Sequence, residues 1–456
     1  GDGTPRARVT VLEGAERVGG KLYGGEVGGV RTDLGAEALL ALRPEAVALA
    51  GQAGLGGHLE PPVTTRSAIW TRGALRPLPE RQLMGLPGDL DALAASGVLS
   101  EAGLARARRD LSLPRTAIGD DIALGAYVRT RVGREVVDRL VEPLLGGVYA
   151  GQADRISLRA ALPRLLPAVQ EERSLVAAVR RLLADRSRDV RATGPAAPHP
   201  VFQGIRGGVG RLPGAVAAAC RSAGAEVRTG TAARRLRRTP DGWWLGVAGP
   251  GGAEELTADA VVLAVPAPAA AGLLAEDARS AAADLRAVEY ARMALVTLVF
   301  RRADLPDLPG GGFLVPPVEG RTVKAATFLS NKWGWLADAA PDHVVVRTSV
   351  GRHGEETAAA LDDAELVSRS LAELRPATGL DAVPYATAVT RWATGLPQYP
   401  VGHPDRVARI RARLAELGPV TVCGAAYDGV GVPSCIAGGW QAAADVTAAL
   451  RPHSAA

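Results

Sequence analysis

The stretch that most constrains the fold lies at the start of the chain. Arg8-Val9-Thr10-Val11-Leu12 closes on Glu13, and Gly19-Gly20-Lys21 follows shortly after. A β-branched run ending in an acid is how a nucleotide-binding βαβ unit finishes its second strand, where the carboxylate bonds a ribose hydroxyl. Paired glycines let the backbone approach a pyrophosphate, and Arg17 puts a cation nearby. The G-x-G-x-x-G turn that ordinarily precedes such a strand is not seen, and Gly1-Asp2-Gly3-Thr4-Pro5 reads as loop. Either the likeness is accidental or this is the second half of such a unit. In the second case the first β-strand is expected to be absent from this chain, with an incomplete diphosphate cradle that holds its cofactor weakly.

At 456 residues the chain exceeds one ordinary core, so two or more lobes are expected. Charged residues make up 22% and apolar ones 47%, which argues against wholesale disorder. Aromatics at 4% are too sparse for a nucleic-acid stacking platform. The net charge of +5 is carried almost wholly by Arg, the only lysines being Lys21, Lys324 and Lys332. With abundant Ala, Gly and Pro, this is the bias of a high-GC genome. No dense basic run occurs, so an anionic small molecule is favoured over an anionic polymer. Cys220, Cys423 and Cys435 have no metal-like spacing, the six histidines are scattered, and no metal is expected. A reducing cytoplasm is the economical location. The longest apolar stretch, 258–275, is broken by Pro266 and Pro268, leaving at most peripheral membrane association.

Along the chain, a Gly-punctuated hairpin covers 23–33 and a helix ends before Gly54. Amphipathic blocks run from 75 to 192, and Gly194-Pro195-Ala196-Ala197-Pro198 reads as a linker. Gly207-Gly208-Val209-Gly210 opens a helix ending near Gly224. Strands are expected at 226–228, 232–237, 243–247, 259–264 and, alternating with turns, over 293–350. Residues 419–424 form a last buried strand, which runs through a glycine-rich turn into a helix over 438–450. Nucleotide-binding features at both ends and in the middle imply a discontinuous domain.

That C-terminal strand, turn and helix make an anion-binding helix start. Alone it is a common packing device; paired with Glu13 and Gly19-Gly20 it is the mark of two-dinucleotide-binding flavoproteins. The chain resembles the protoporphyrinogen/coproporphyrinogen oxidases, the porphyrinogen-oxidising branch of the flavin amine oxidase superfamily, in its Gram-positive coproporphyrinogen form. The resemblance is carried by E-x-x-x-R-x-G-G-K at Glu13–Lys21, Gly35-Ala36-Glu37-Ala38, and Leu140 through Gly151 with its Gly146-Gly147-Val148-Tyr149. Leu158–Pro163, Phe202–Leu212, Leu396-Pro397-Gln398-Tyr399 and Tyr427–Ile436 extend it over nearly the whole chain.

The resemblance implies an α/β architecture: a discontinuous Rossmann-like, glutathione-reductase-like FAD domain (1–65, 203–272 and 415–456), a helical subdomain (75–192), and a mixed-sheet substrate domain (66–74 and 273–414). It implies FAD-dependent six-electron oxidation of a porphyrinogen in three steps, with dioxygen reoxidising the flavin to give hydrogen peroxide. A transient contact with a ferrochelatase is also implied. No acid–base pair or nucleophile is expected, because the isoalloxazine does the chemistry.

Glu13 would bind the adenosine ribose, though a solvated strand-end carboxylate would read the same. Arg17 and Lys21 would sit near the pyrophosphate or the flavin, a solvated face being the competing reading for Lys21, with Gly19 and Gly20 at the pyrophosphate and Gly35, Ala36, Glu37 and Ala38 at the flavin. Ala233 would meet adenine, Trp392 would line the flavin, and Val430-Gly431-Val432-Pro433 would pass its ring; Ala233 and Trp392 could equally be core. For substrate, Arg76 would pair with a propionate, against the alternative of a surface charge. Gly147 and Val148 would form one wall and Leu314, Val323 and Trp333 a sandwich, where ordinary core is the competing reading; Lys332 would be a second propionate partner. The segment 78–88 and the lack of an anchoring patch favour coproporphyrinogen III over protoporphyrinogen IX. A flavin amine oxidase, a carotenoid desaturase and a catalytically inert porphyrin escort are the remaining alternatives.

Overall fold

The structure is a computed structural model and describes residues 7–192 and 200–450, so the opening loop and the 194–198 stretch lie outside it. The architecture is mixed α/β. Two short parallel ribbons bring distant segments together. Thr10–Leu12 pairs with Glu226–Arg228, and Val261–Leu263 pairs with Val420–Val422. Each of these β-rich triplets is followed by a glycine or proline turn, as the sequence pattern requires. A three-stranded meander, Ala232–Thr239, Gly242–Gly249 and Gly252–Ala258, lies between the ribbons in sequence. Its third strand was not expected: Gly-Ala-Glu-Glu-Leu-Thr-Ala shows no apolar alternation, and it is mostly exposed.

The largest sheet has seven strands in the order Ala386–Pro397, Tyr290–Arg301, His343–Val350, Val323–Phe328, Gly312–Leu314, Ala68–Thr71 and Ala74–Pro77. All pairings are antiparallel except that of Gly312–Leu314 with Ala68–Thr71. One face packs on the Asp363–Thr378 helix through Val296, Leu298, Phe328, Val346 and Leu366. Toward its far edge the other face meets a helical cluster that includes Ile69, Leu124, Val136, Leu145 and Val179. Helices Arg279–Arg286 and His403–Ala415 lie inside the stretch read as substrate-binding. Their Ala281, Leu285, Ile410 and Leu414 nevertheless bury in one cluster with Val261, Leu263 and Val420.

The last helix runs Val432–Leu450, beginning six positions before the expected Gly438. Pro433 favours the first turn of a helix. Gly438 is an interior position at which a Cβ would come within 2.0 Å of Asp428 Oδ2. The glycine that suggested a helix start is therefore a close-approach site.

Candidate functional site

The Thr10–Leu12 strand delivers Glu13 to the end of the first ribbon, where the Glu13 amide donates to the Arg228 carbonyl at 2.8 Å. Glu13 Oε1 accepts from the Ala15 amide at 2.9 Å, and the Thr231 amide donates to the Glu13 carbonyl at 2.9 Å. Ala232 lies against Gly14, so the Ala233 strand starts beside the Glu13 turn and these two predicted groups are neighbours.

The Gly19-Gly20 turn follows, with φ of 103° and 52°. A Cβ on Gly19 would lie 2.4 Å from Pro213 Cγ, so conformation and space both demand glycine. Arg17 is not aimed outward. Its guanidinium curls onto its own loop, donating to the Gly20 carbonyl at 2.6 Å, and stacks on Tyr23 at 3.9 Å. It braces the turn, because three carbonyls and an aromatic face compete for it locally. Lys21 differs: burial drives its pKa down, and among the described residues its ammonium makes no ion pair.

The Gly35–Ala38 loop packs directly on this turn. The Ala36 amide donates to the Lys21 carbonyl at 3.0 Å, and a Cβ on Gly35 would stand 2.0 Å from that same oxygen. Ala38 packs against the Trp333 cluster. Glu37 departs from expectation, since its carboxylate is bonded inside the chain, to Lys332 Nζ at 2.8 Å and Trp333 Nε1 at 3.2 Å, with Arg347 at 3.7 Å. Burial pushes its carboxyl up, but Lys332, Arg347 and their hydrogen bonds outweigh burial and hold it below its ordinary value.

The C-terminal turn closes on the same place. Val432 and Ile436 pack with Leu22, Leu39 and Ala46, and Arg43 Nη1 donates to Ser434 Oγ at 2.8 Å. Cys435 on this helix lies near Lys21 and opposes in part the burial that lowers its pKa, so the two ends of the chain converge. Gly431 and Pro433 stand at the helix start, and Val430 packs on the helical cluster. Burial pushes the Cys423 and Cys435 thiols up to about 11, which keeps both protonated and poorly nucleophilic. Beneath the turn, Tyr399 stacks on His403 at 4.4 Å and meets Tyr149 edge-on at 5.6 Å. Burial depresses His403 to about 4, and its Nε2 lies 2.9 Å from the Ala426 carbonyl. That oxygen can only accept, so Nε2 carries the proton of a neutral ring.

The substrate candidates divide into two sets. Arg76, Ile69 and Leu314 sit opposite one another on three adjacent strands, which places them in one row on one face. Gly147 approaches Leu314 Cδ2 at 4.0 Å (measured from its would-be Cβ), and Val148 is 40% exposed beside it. Gly147 therefore adjoins the Leu314 end of this row, while Arg76 stands at its other end, where its Nε donates to the Thr71 carbonyl at 3.3 Å. Val323 belongs elsewhere. It is buried in the cluster on the opposite face, because a bulge between Val323 and Ala325 breaks the alternation. Trp333 is a core residue packed on Val30, Val299 and Leu329, and Lys332 spends its ammonium on Glu37. Trp392 stands half-buried on the outermost strand opposite Met293, at the sheet edge farthest from Arg76.

Sequence reasoning missed Asp33, which accepts from the Val209 and Gly210 amides at 2.9 and 2.8 Å and so fixes the Gly207–Gly210 turn. It also missed Arg347, which follows the three valines Val344-Val345-Val346 within the strand His343–Val350. A separate cleft of about 310 Å³ is lined by Glu142, Gln152, Asp154, Arg352, His353 and Glu355, among others.

The family profile for flavin containing amine oxidoreductase matches residues 3–447. The coproporphyrinogen III oxidase of Mycobacterium tuberculosis is 35% identical, over 97% of this chain and 92% of that protein. A protoporphyrinogen oxidase of Macaca fascicularis is 29% identical over 96% of this chain and 93% of that one. A solved structure from Exiguobacterium superimposes with a TM-score of 0.81 at 30% identity, covering 97% of this chain and 92% of its own.

Proposed function

Because this chain belongs to the flavin-containing amine oxidoreductases, we propose that it is an oxygen-dependent coproporphyrinogen III oxidase that uses FAD. The reaction removes six electrons and six hydrogens from the macrocycle, and three dioxygen molecules become three hydrogen peroxide. The observation that carries this reading is a likeness to coproporphyrinogen III oxidases that runs from one end of the chain to the other.

The residues at the convergent ends fit a flavin dinucleotide. Gly20 keeps its outer side open, with nothing within 4 Å of where a Cβ would stand, and Lys21 offers a half-buried cation with no ion pair among the described residues. Glu13 Oε2 has no bond within the described residues and stands free for a ribose hydroxyl. When bound, the flavin supplies hydride acceptance and reaction with dioxygen. The chain supplies binding and orientation. Arg76 takes a substrate carboxylate, while Gly147, Val148 and Leu314 form an apolar wall for a tetrapyrrole. The high thiol pKa values of Cys423 and Cys435 protect both from the peroxide product.

The match to a protoporphyrinogen oxidase favours protoporphyrinogen IX as the second reading. The test is peroxide release by the purified, yellow protein on the two porphyrinogens. A higher kcat/KM for coproporphyrinogen III is expected, and equal or reversed values would overturn the ordering. Flavin-free protein that binds porphyrin without turnover would instead identify the inert escort.

A further inference from the structure

We propose that Arg347 is a positioning residue: reaching from the substrate-side sheet, it fixes the Gly35–Ala38 loop and thereby the Lys21 turn, with Lys332 and Glu37 completing the grip. The flavin consequences of this inference rest on the function proposed above; the contacts do not.

The strand around Arg347 is buried, with Val344, Val345, Val346 and Thr348 all shielded beside it. A guanidinium in such a place is costly unless its donors are satisfied. Arg347 satisfies them on another part of the chain. Nη1 donates to the Gly35 carbonyl at 2.7 Å and lies 3.4 Å from that of Asp33, while Nη2 faces Glu37 at 3.7 Å. Lys332, at the end of the Leu329–Lys332 helix, grips the same carboxylate from a second direction, and the Trp333 indole from a third. Asp33 and Glu37 are the acids facing Arg347, so the cluster balances two cations against two carboxylates.

The loop cannot slip. On one side Arg347 holds the Gly35 carbonyl; on the other, Gly35 is pressed against the Lys21 carbonyl so closely that no side chain fits. The Leu34 and Gly35 amides both donate to the Tyr23 carbonyl, at 2.8 and 3.1 Å. The Gly19-Gly20-Lys21 turn and Tyr23 are therefore tied to Gly35 and its neighbours. Through Asp33 the same loop also sets the Gly207–Gly210 turn. Two parts of the molecule that must be registered for hydride transfer are joined by a few directional bonds, where a misplacement of about 1 Å can cost on the order of 100-fold in rate.

The test compares Arg347→Met, Arg347→Lys, Glu37→Gln and Lys332→Met with the wild type. Three readouts are used: FAD titration of the apoprotein, visible circular dichroism of the bound flavin, and steady-state kinetics. Arg347→Met is expected to weaken FAD at least about 10-fold and alter the flavin dichroism, with kcat falling about 10- to 100-fold and KM for the porphyrinogen within about twofold. Arg347→Lys is expected to restore part of the dichroism. Lys332→Met is expected to lower kcat with KM unchanged. Wild-type dichroism and FAD affinity in Arg347→Met would overturn the proposal. So would a raised KM at constant kcat in Lys332→Met, which would make that lysine a substrate contact. Should Arg347→Met fail to fold, Glu37→Gln and Lys332→Met decide alone: each removes one partner of the same cluster and is expected to weaken FAD and alter the flavin dichroism, and wild-type values in both would overturn the proposal. The affinity and dichroism readouts hold even if the porphyrinogen proves not to be the substrate.

Discussion

Lys324 shows how a single residue can work against the fold that holds it. Its Nζ is buried and has no hydrogen-bond partner among the described residues. Burial and then the neighbouring Arg352 drive its pKa down to about 7, with Glu355 pulling weakly the other way. Below pH 7 the lysine is charged in both folded and unfolded chains, and the fold bears the full cost of burying that charge. Between pH 7 and 10.5 the unfolded chain binds the extra proton, so stability rises with pH across that window. Lys324→Met should therefore stabilise the protein by on the order of a few kcal/mol at pH 6 and by progressively less toward pH 10. Urea unfolding of both proteins at each pH checks this, and a pH-independent difference would refute it. Glu142 carries a shift of opposite kind. Burial lifts its carboxyl to about 7, with Asp154 and Asp138 adding to the rise, so its contribution falls as pH climbs from 4.5 through 7.

At the scale of elements, the helical region is pinned by one buried pair. Arg131 Nε donates to Asp110 Oδ1 at 2.6 Å, and Arg131 also donates to the Arg173 carbonyl at 2.7 Å. Asp110 Oδ2 accepts from the Val176 amide at 2.9 Å, at the start of the Leu175–Ala192 helix. Both side chains are almost wholly buried, so Asp110→Ala should cost about 3–5 kcal/mol by stranding the guanidinium. The double change Asp110→Leu/Arg131→Met should cost less than the single one; a double variant no better than Asp110→Ala would contradict this account. Strands of alternating or β-branched character, such as 226–228 and 420–422, were legible because the local pattern determines them. Gly252–Ala258 was not, since its pairing with Gly242–Gly249 holds together a strand whose own residues carry no such pattern.

For the whole molecule, the proposed cofactor seat is an assembly of segments 13–23 and 35–38 near the start of the chain with 430–436 near its end. A ligand that binds only the assembled state stabilises all of it. FAD at 100 times its Kd should add about 2.7 kcal/mol, read as a rise in the thermal unfolding midpoint. In Gly35→Ala that rise should be lost, because the added methyl meets the Lys21 carbonyl. An equal shift in the variant would mean that the loop is not part of the seat. Among the described residues no helix is long and apolar enough to cross a membrane.

The sequence alone was enough for what short-range geometry dictates. A β-branched run ending at Glu13 reads as a strand end, and Gly19-Gly20 as a turn, because both preferences are local. The C-terminal strand and glycine-rich turn were legible in the same way, whereas the helix after them begins at Val432 and not at Gly438. Tertiary structure decided where side chains point. Lys332 looked like a free cation for a propionate, yet its partner Glu37 lies 295 residues away. Val323 looked like a pocket wall, yet a bulge of one residue turned it to the other face. Arg347 acquired its partner only when the fold laid its strand against Gly35. Which face a strand presents, and which charge meets which, depends on pairings across the whole chain, and these exist only once the chain has folded.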